Sequence, residues 1–276
     1  MRRFFRCSVL FVLAALPLTS ITLRAQGQVS FTQTPTYAIG NTNGQNPGGV
    51  VVAADFNGDG KPDIAVNNGA ILLNNGDGTF HLGTNVGLQG AIAAGDFNGD
   101  GKQDLAVWTQ AANISVLLGN GDGTFQSPIN MAIGVPGYAN TSFLAVALGN
   151  GQIDLVMPSG TGNGVWVFIG KGDGTFASPV TYQTGNSVYD IVVGDFNGDG
   201  KPDVATPSSN GVAVLLGNGD GTFKPVLNSS LSTVLSSLVV GDFNGDGKLD
   251  LAGATSSLTA VGVALGNGDG TLQNPG

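Results

Sequence analysis

The chain has 276 residues, and all nineteen of its acidic residues are aspartates. All four arginines lie before residue 25, so residues 26–276 carry six lysines against nineteen aspartates, a net charge of −13, and contain no glutamate, arginine or cysteine. This charge argues against nucleic acid and acidic membrane surfaces as partners, and the missing cysteines exclude disulfide stabilisation.

The first residues have the pattern of a secretory signal peptide over Met1–Ala25. Three arginines lie in the first six residues, an apolar run covers Val9–Leu16, and Leu23-Arg24-Ala25 is a typical cleavage end. The apolar run is too short to span a bilayer, although an uncleaved anchor is the alternative. We therefore expect a protein secreted or held in the periplasm or cell envelope, with 26–276 as a single domain that does not insert into a membrane.

A nine-residue motif, Asp-Phe-Asn-Gly-Asp-Gly-Lys-x-Asp, dominates the rest of the chain. It covers Asp55–Asp63 and recurs at Asp96–Asp104, Asp195–Asp203 and Asp242–Asp250. Side-chain oxygens stand at positions 1, 3, 5 and 9, and glycines at positions 4 and 6 allow a tight loop. An all-oxygen set of clustered carboxylates suits Ca²⁺, with the backbone carbonyl of position 7 as a further donor.

The motif therefore predicts about four structural calcium ions, with an ordinary Asp/Asn/Gly turn as the alternative. The candidate ligands are Asp55, Asn57, Asp59, Lys61 and Asp63; Asp96, Asn98, Asp100, Lys102 and Asp104; Asp195, Asn197, Asp199, Lys201 and Asp203; and Asp242, Asn244, Asp246, Lys248 and Asp250. Helix-loop-helix calcium sites are a poor fit, because they need a glutamate at position 12 and flanking helices.

The spacing of the motifs indicates a repeat array. A degenerate copy at Val146–Asp154 fills the long gap between the second and third complete copies, and it keeps only Asp154 of the ligand pattern. We therefore expect no metal there. A second element built on x-Gly-Asp-Gly-Thr-Phe/Leu follows every copy, at Asn74–Phe80, Gly119–Phe125, Gly170–Phe176, Gly217–Phe223 and Gly266–Leu272. The five units, roughly 41 to 51 residues each, have the period of propeller blades.

Short apolar runs between Gly, Asn and Asp indicate strands, and no window suits an amphipathic helix. The sequence therefore predicts an all-β, five-bladed β-propeller of four-stranded antiparallel blades. The last unit stops near its third strand, whereas Phe31–Gly40 resembles the fourth strand at Phe125–Gly134. We expect the N-terminal strand to pair with the last blade and close the ring, with part of a larger ring as the alternative.

These residues resemble the FG-GAP/VCBS-like repeat, a relative of the calcium-bearing blades of integrin alpha-type propellers. The resemblance covers about Phe31–Gly276 and implies that the nine-residue loop joins the first two strands of a blade and binds Ca²⁺. Two departures are clear: the Phe-Gly-Gly-Ala-Pro signature is absent, and the third unit lacks the ligand set.

Residues outside the repeats bear on function. His81 is the only histidine and Asp190 the only aspartate outside both repeat motifs; we expect both to be solvated surface residues, which leaves little for catalysis. Trp108 and Trp166 stand where other units have small residues. They either fill gaps between blades or form a stacking platform for a ligand.

Function is predicted to lie on the face opposite the calcium loops, where the connections differ between units. We expect a non-enzymatic, monomeric protein-recognition or adhesion module. A carbohydrate-binding propeller is the alternative, and a hydrolase or lyase with a site on the variable face is a weaker one.

Overall fold

A computed structural model describes residues 35–39, 50–135, 142–159, 163–185, 188, 190–255 and 260–274. The expected signal peptide lies outside these residues. The described residues form twenty strands and no helix, arranged as five four-stranded antiparallel sheets. The all-β, five-bladed prediction is therefore confirmed.

Each sheet is a meander in which the strand order follows the chain. Blade 1 contains β1 (Val51–Ala54), β2 (Asp63–Val66), β3 (Ala70–Asn74) and β4 (Phe80–Asn85). Blade 2 contains β5 (Gly90–Gly95), β6 (Asp104–Thr109), β7 (Asn113–Leu117) and β8 (Ile129–Ala132). Blade 3 contains β9 (Leu144–Val146), β10 (Asp154–Pro158), β11 (Gly164–Phe168) and β12 (Val180–Gln183). Blade 4 contains β13 (Val192–Gly194), β14 (Asp203–Ser208), β15 (Gly211–Leu215) and β16 (Leu227–Ser230). Blade 5 contains β17 (Leu235–Gly241), β18 (Asp250–Thr255), β19 (Val261–Gly266) and β20 (Leu272–Gln273).

The burial of the strands explains why polar and apolar residues do not alternate along the second and third strands of a blade. Every residue of β6, β10, β14 and β15 is buried, because neighbouring blades cover both faces of a blade. The outer strands β8 and β12 are mostly exposed. Apolar β-branched runs thus become second and third strands, and polar runs become outer strands.

The hydrophobic core is divided into four clusters, one at each junction between consecutive blades. In the cluster between blades 2 and 3, for example, Phe97 and Ile114 pack with Leu155 and Phe176. The others lie between blades 1 and 2, 3 and 4, and 4 and 5. Full burial of a side chain such as Phe97 contributes roughly 1.5–3 kcal/mol. Each junction therefore holds a substantial part of the folding free energy.

A repeated backbone bond fastens each junction at the loop end. The carbonyl of the phenylalanine at motif position 2 accepts the N–H of the second Gly in the next blade's Gly-Asp-Gly turn. Gly123 N donates to Phe56 O at 3.0 Å, and Gly174 N donates to Phe97 O at 3.0 Å. Gly270 N likewise donates to Phe196 O at 3.1 Å. The nine-residue loops therefore link neighbouring blades as well as the strands within a blade.

The junction between blades 5 and 1 lacks this pattern among the described residues. Phe243 is 52% exposed, whereas its counterparts Phe56, Phe97 and Phe196 are at most 3% exposed. No bond joins Gly78 to Phe243 within that part of the chain. Ring closure therefore stays a prediction.

The expectation that the last blade lacks a fourth strand of its own is corrected. Leu272–Gln273 forms a short fourth strand against β19. Half of Phe31–Gly40 lies outside the described residues, but Pro35–Ile39 is described and lies against blade 1. Tyr37 Oη accepts the N–H of Phe80 at 2.9 Å, as Tyr182 of blade 3 accepts that of Phe223 in blade 4 at 3.2 Å. Tyr37 therefore contacts blade 1 as the fourth strand of a preceding blade does, which supports the expected role of the segment.

Candidate metal loops and the opposite face

The nine-residue loops are closed by hydrogen bonds from their own backbone. Asp55 Oδ1 accepts the N–H groups of Gly58 at 2.8 Å and Asp59 at 3.2 Å, and Asp55 Oδ2 accepts that of Gly60 at 2.8 Å. Asn57 Oδ1 accepts from Asp59 N at 3.0 Å. Gly58 and Gly60 have φ of +73° and +80°, which other residues adopt only with strain. The same pattern recurs in the loops that begin at Asp96 and Asp242.

The aspartate at position 9 has a different, buried role. Asp104 is fully buried; its Oδ2 accepts Phe97 N at 2.8 Å, and its Oδ1 accepts Gly119 N at 2.7 Å. The corresponding residues of the other four blades, Asp63, Asp154, Asp203 and Asp250, are equally buried and similarly bonded. Burial raises the pKa of Asp104, and the backbone N–H donors partly oppose that shift. This carboxylate joins the loop to the turn within each blade.

The donor chemistry of the loops fits a hard cation, but the structure does not gather the ligands into one shell. All side-chain donors at positions 1, 3, 5 and 9 are oxygens, as Ca²⁺ requires. Within the described residues, no group of three acidic, histidine or cysteine side chains is arranged to hold a metal ion. Lysines instead offset part of the charge: Lys61 Nζ lies 3.2 Å from Asp59 Oδ2, and Lys102 Nζ lies 3.7 Å from Asp100 Oδ2. Calcium binding therefore stays a prediction.

The structure corrects the alignment of the degenerate third loop, in which Val146–Asp154 was matched to all nine motif positions. Leu148 is 2% exposed and donates its N–H to Asp154 Oδ2 at 3.4 Å, as the motif phenylalanines do to their aspartates. Leu148 O also accepts Gly221 N of blade 4 at 3.3 Å. Leu148 thus replaces the phenylalanine, and the loop is one residue shorter. Its blade forms with Asp154 as the one retained motif aspartate.

The two tryptophans differ in exposure. Trp108 is only 2% exposed, and its indole Nε1 donates to Val135 O at 2.9 Å. Its ring lies 6.5 Å from that of Phe143 in blade 3, so Trp108 fills the junction and offers no exposed platform. Trp166 is half-buried and packs edge-on against Phe168 at 6.1 Å.

The candidate catalytic residues have other partners. His81 is exposed, and its Nδ1 lies 2.7 Å from Asn75 Oδ1, in agreement with a surface role. The expectation that Asp190 is solvated is wrong. Its carboxylate accepts Ser142 Oγ–H of the chain entering blade 3 at 2.5 Å and Leu238 N–H of blade 5 at 2.5 Å. Asp190 therefore joins blades 3, 4 and 5 near their innermost strands.

The five meanders around shared inter-blade cores define a repeat β-propeller, with uniform loops at one end and variable connections at the other. Models of the FG-GAP-like repeat match residues 67–107, 96–148, 148–206 and 195–253, and the FG-GAP repeat matches 47–81. The chain belongs to the FG-GAP repeat family.

The chain is similar to several solved structures at low sequence identity, and the first of them shares its fold. An Agrocybe aegerita lectin that recognises non-reducing terminal N-acetylglucosamine is 21% identical, with a TM-score of 0.58 over 81% of this chain and 64% of that chain. The chain thus spans less than two thirds of that lectin. The fucose-specific lectin of Aleuria aurantia is 12% identical, with a TM-score of 0.41 over 79% and 74%. The Vibrio cholerae biofilm matrix protein Bap1 is 18% identical, with a TM-score of 0.45 over 81% and 38%. No curated protein matches the chain.

Among the described residues, none forms a helix with the length and apolar character of a membrane span.

Proposed function

We propose that this chain is an exported, calcium-stabilised, non-enzymatic recognition module that binds its ligand on the face opposite the nine-residue loops. One contrast carries the proposal: the loop end is nearly identical in four of the five blades and closed by its own hydrogen bonds, while the opposite end varies. Uniform loops serve the scaffold, and variable loops on a rigid scaffold are where recognition occurs. His81 and Asp190 both have structural partners, which supports a non-catalytic role.

Calcium is the scaffold part of this proposal. An ion bound at Asp96, Asn98 and Asp100 would offset the repulsion that remains after Lys102 has paired with Asp100. Binding only to the folded state raises stability by mass action. Extracellular calcium modules bind at roughly 10⁻⁴ to 10⁻³ M, so the expected rise in melting temperature saturates in the millimolar range.

The scaffold test is thermal unfolding of residues 26–276 in EDTA and in a calcium series, with bound ions counted by mass spectrometry. Asp100→Asn should reduce the calcium-dependent rise by about a quarter, because it disables one of four loops. Asn150→Asp in the degenerate loop is the matched control, and it should not add a fifth ion. Equal melting with and without calcium, and no bound ion, would falsify the calcium part.

The ligand is a protein or a glycan of the cell envelope. The Agrocybe aegerita lectin recognises terminal N-acetylglucosamine; a likeness at 21% identity shows the fold alone, but it is reason to include that sugar in a ligand panel. The panel compares binding of the protein to immobilised glycans with its binding to cell-envelope proteins of the organism that produces it. Loss of binding after changes on the variable face, but not after Asp100→Asn in saturating calcium, supports the proposal. The reverse pattern overturns it.

A further inference from the structure

A polar groove lies between blades 3 and 4 on the variable face. It encloses about 340 Å³ between the end of β12, the connection from β14 to β15, and β16. That volume is in the range of small-ligand pockets, roughly 300–1,000 Å³.

The lining of the groove is uncharged throughout. Five lining residues carry hydroxyl groups and three carry carboxamides, and the ninth is Gly185. They include Gln183, Thr184, Ser208, Asn210 and Asn228. No lysine, aspartate, aromatic or aliphatic side chain lines it, so neither an ion nor an apolar ligand finds a matching partner there.

Thr184 is the residue that points to a ligand. It is 2% exposed, and its Oγ1 is buried with no hydrogen-bond partner in the described structure. A buried hydroxyl without a partner costs free energy, so native proteins rarely leave one. Ser208, also lining the groove, is 7% exposed.

The other blades show that the fold does not need a hydroxyl at this position. Thr184 N donates to Asn163 O, just as Ile133 N donates to Ala112 O in blade 2 and Leu231 N donates to Asn210 O in blade 4. The equivalent side chains are thus isoleucine and leucine, and both pack against the hydrophobic clusters. Blade 3 alone among these three has a polar side chain there, and that residue lines the groove.

We infer that this groove binds a neutral saccharide, with Thr184 Oγ1 hydrogen-bonded to a sugar hydroxyl. Hydroxyl and carboxamide groups both donate and accept, as the hydroxyls of a sugar do, and they carry no charge that a neutral ligand would leave unpaired. The groove lies near none of the nine-residue loops, so calcium is not a partner in this contact. The inference rests on the proposed recognition function and names its ligand class and site.

The experiment measures binding of residues 26–276 to an array of neutral mono- and oligosaccharides, followed by calorimetric titration with the best free sugar. Thr184→Val keeps the shape and removes the hydroxyl. It should weaken sugar binding about tenfold or more, the loss expected for one buried hydrogen bond of about 1.4 kcal/mol, and it should raise the melting temperature. Ser208→Ala should also weaken binding. Ile133→Val, at the equivalent position of blade 2, is the matched control and should leave binding unchanged.

Thr184→Val is expected to raise the melting temperature and lower the affinity for sugar, and these two readouts distinguish the possible outcomes. If Thr184→Val melts higher and binds sugar as well as the wild type, the site is wrong while glycan recognition stands. If no neutral saccharide binds but an envelope protein does, the ligand class is wrong while the recognition function stands. If neither binds, the recognition function fails with it.

Discussion

Asp190 provides a strong test of the interpretation that the polar residues outside the repeats hold the propeller together. Its Oδ1 accepts Ser142 Oγ–H at 2.5 Å and its own neighbour Ile191 N–H at 3.0 Å, and its Oδ2 accepts Leu238 N–H at 2.5 Å. Leu238 is 6% exposed and follows Ser237, which has a positive φ of 53° at the bulge of β17. The carboxylate of Asp190, which belongs to blade 4, thus holds the bulged strand β17 of blade 5 in place.

Asp190→Ala removes all three hydrogen bonds and leaves the Leu238 N–H without its carboxylate acceptor. Hydrogen bonds to charged groups contribute roughly 1.5–3 kcal/mol each but are not additive, so a total of about 3 kcal/mol is expected. For a domain of this size that corresponds to a fall in melting temperature of about 6–12 °C. Asp190→Asn keeps one acceptor oxygen and should cost about half as much.

The assay is thermal and urea unfolding of wild type, Asp190→Ala, Ser142→Ala and the double variant, with His81→Ala as an exposed control. The double-mutant cycle should show a coupling of about 0.5–3 kcal/mol between Ser142 and Asp190. His81→Ala should melt within about 1 °C of wild type. A fall of under about 2 °C for Asp190→Ala would refute the structural role and return Asp190 to the candidates for a ligand or catalytic contact.

Three further changes test other parts of the structure. Ala112→Gly should stabilise the protein by about 0.5–1 kcal/mol in urea unfolding, because Ala112 has a φ of +62° that glycine adopts without strain. Ala111→Gly is the control, and an equal effect of the two changes on stability would contradict the role of backbone strain at Ala112. In a chain without Cys7, a short bis-maleimide should link Phe80→Cys to Phe243→Cys within one molecule if the ring closes as Phe56 and Phe125 meet at the first junction. Denaturing gels should show the linked chain as a faster monomer band, whereas only cross-linked dimers would exclude closure within one chain. Burial raises the pKa of Asp154 above its ordinary value of 3.8, so the folded protein binds this proton more tightly than the unfolded chain, and stability falls as pH rises through the raised pKa. The stability advantage of wild type over Asp154→Asn should therefore shrink from about pH 4 to pH 7. A growing advantage would contradict the burial argument.

Much of the architecture could be predicted because the repeat signals are local. The glycines of Asp55–Asp63 and the Gly-Asp-Gly-Thr turns need only neighbouring residues to form, so five copies define five blades. The register of the third loop could not be predicted, because Leu148 is identified by its bond to Gly221 in the next blade. Trp108 and Asp190 were unclear for the same reason: Phe143 and Leu238, which belong to other blades, decide their burial and bonding.

The candidate groove could not be predicted from the sequence, because it is recognised only by comparing equivalent positions of different blades. Threonine just after a strand is unremarkable by itself, and Thr184 gains meaning only when its backbone bond shows that Ile133 and Leu231 occupy the same position. The repeat motifs lie at the opposite end of each blade and carry no information about this position. In a repeat protein, a buried position at which one copy is polar and its siblings are apolar is therefore a useful signal for a site.

The third blade also separates two roles that the motif combines. It lacks the side-chain donors of positions 1 and 3, yet Asp154 keeps its bonds to Leu148 and Gly170, and the blade forms four paired strands. The position-9 aspartate, with a further hydrogen bond from Asn150, therefore supports the blade without the aspartates of positions 1 and 5. The aspartates at positions 1 and 5 are exposed or half-buried at the loop surface, and Asp100 and Asp246 have only a nearby lysine to offset their charge. The position-1 aspartates close their loops by hydrogen bonds, but a second carboxylate at position 5 beside each of them adds repulsion that the shorter loop of blade 3 avoids. A fold without a cation would gain nothing from such clustered carboxylates. Their presence in four blades is thus the strongest argument within the structure for a bound cation.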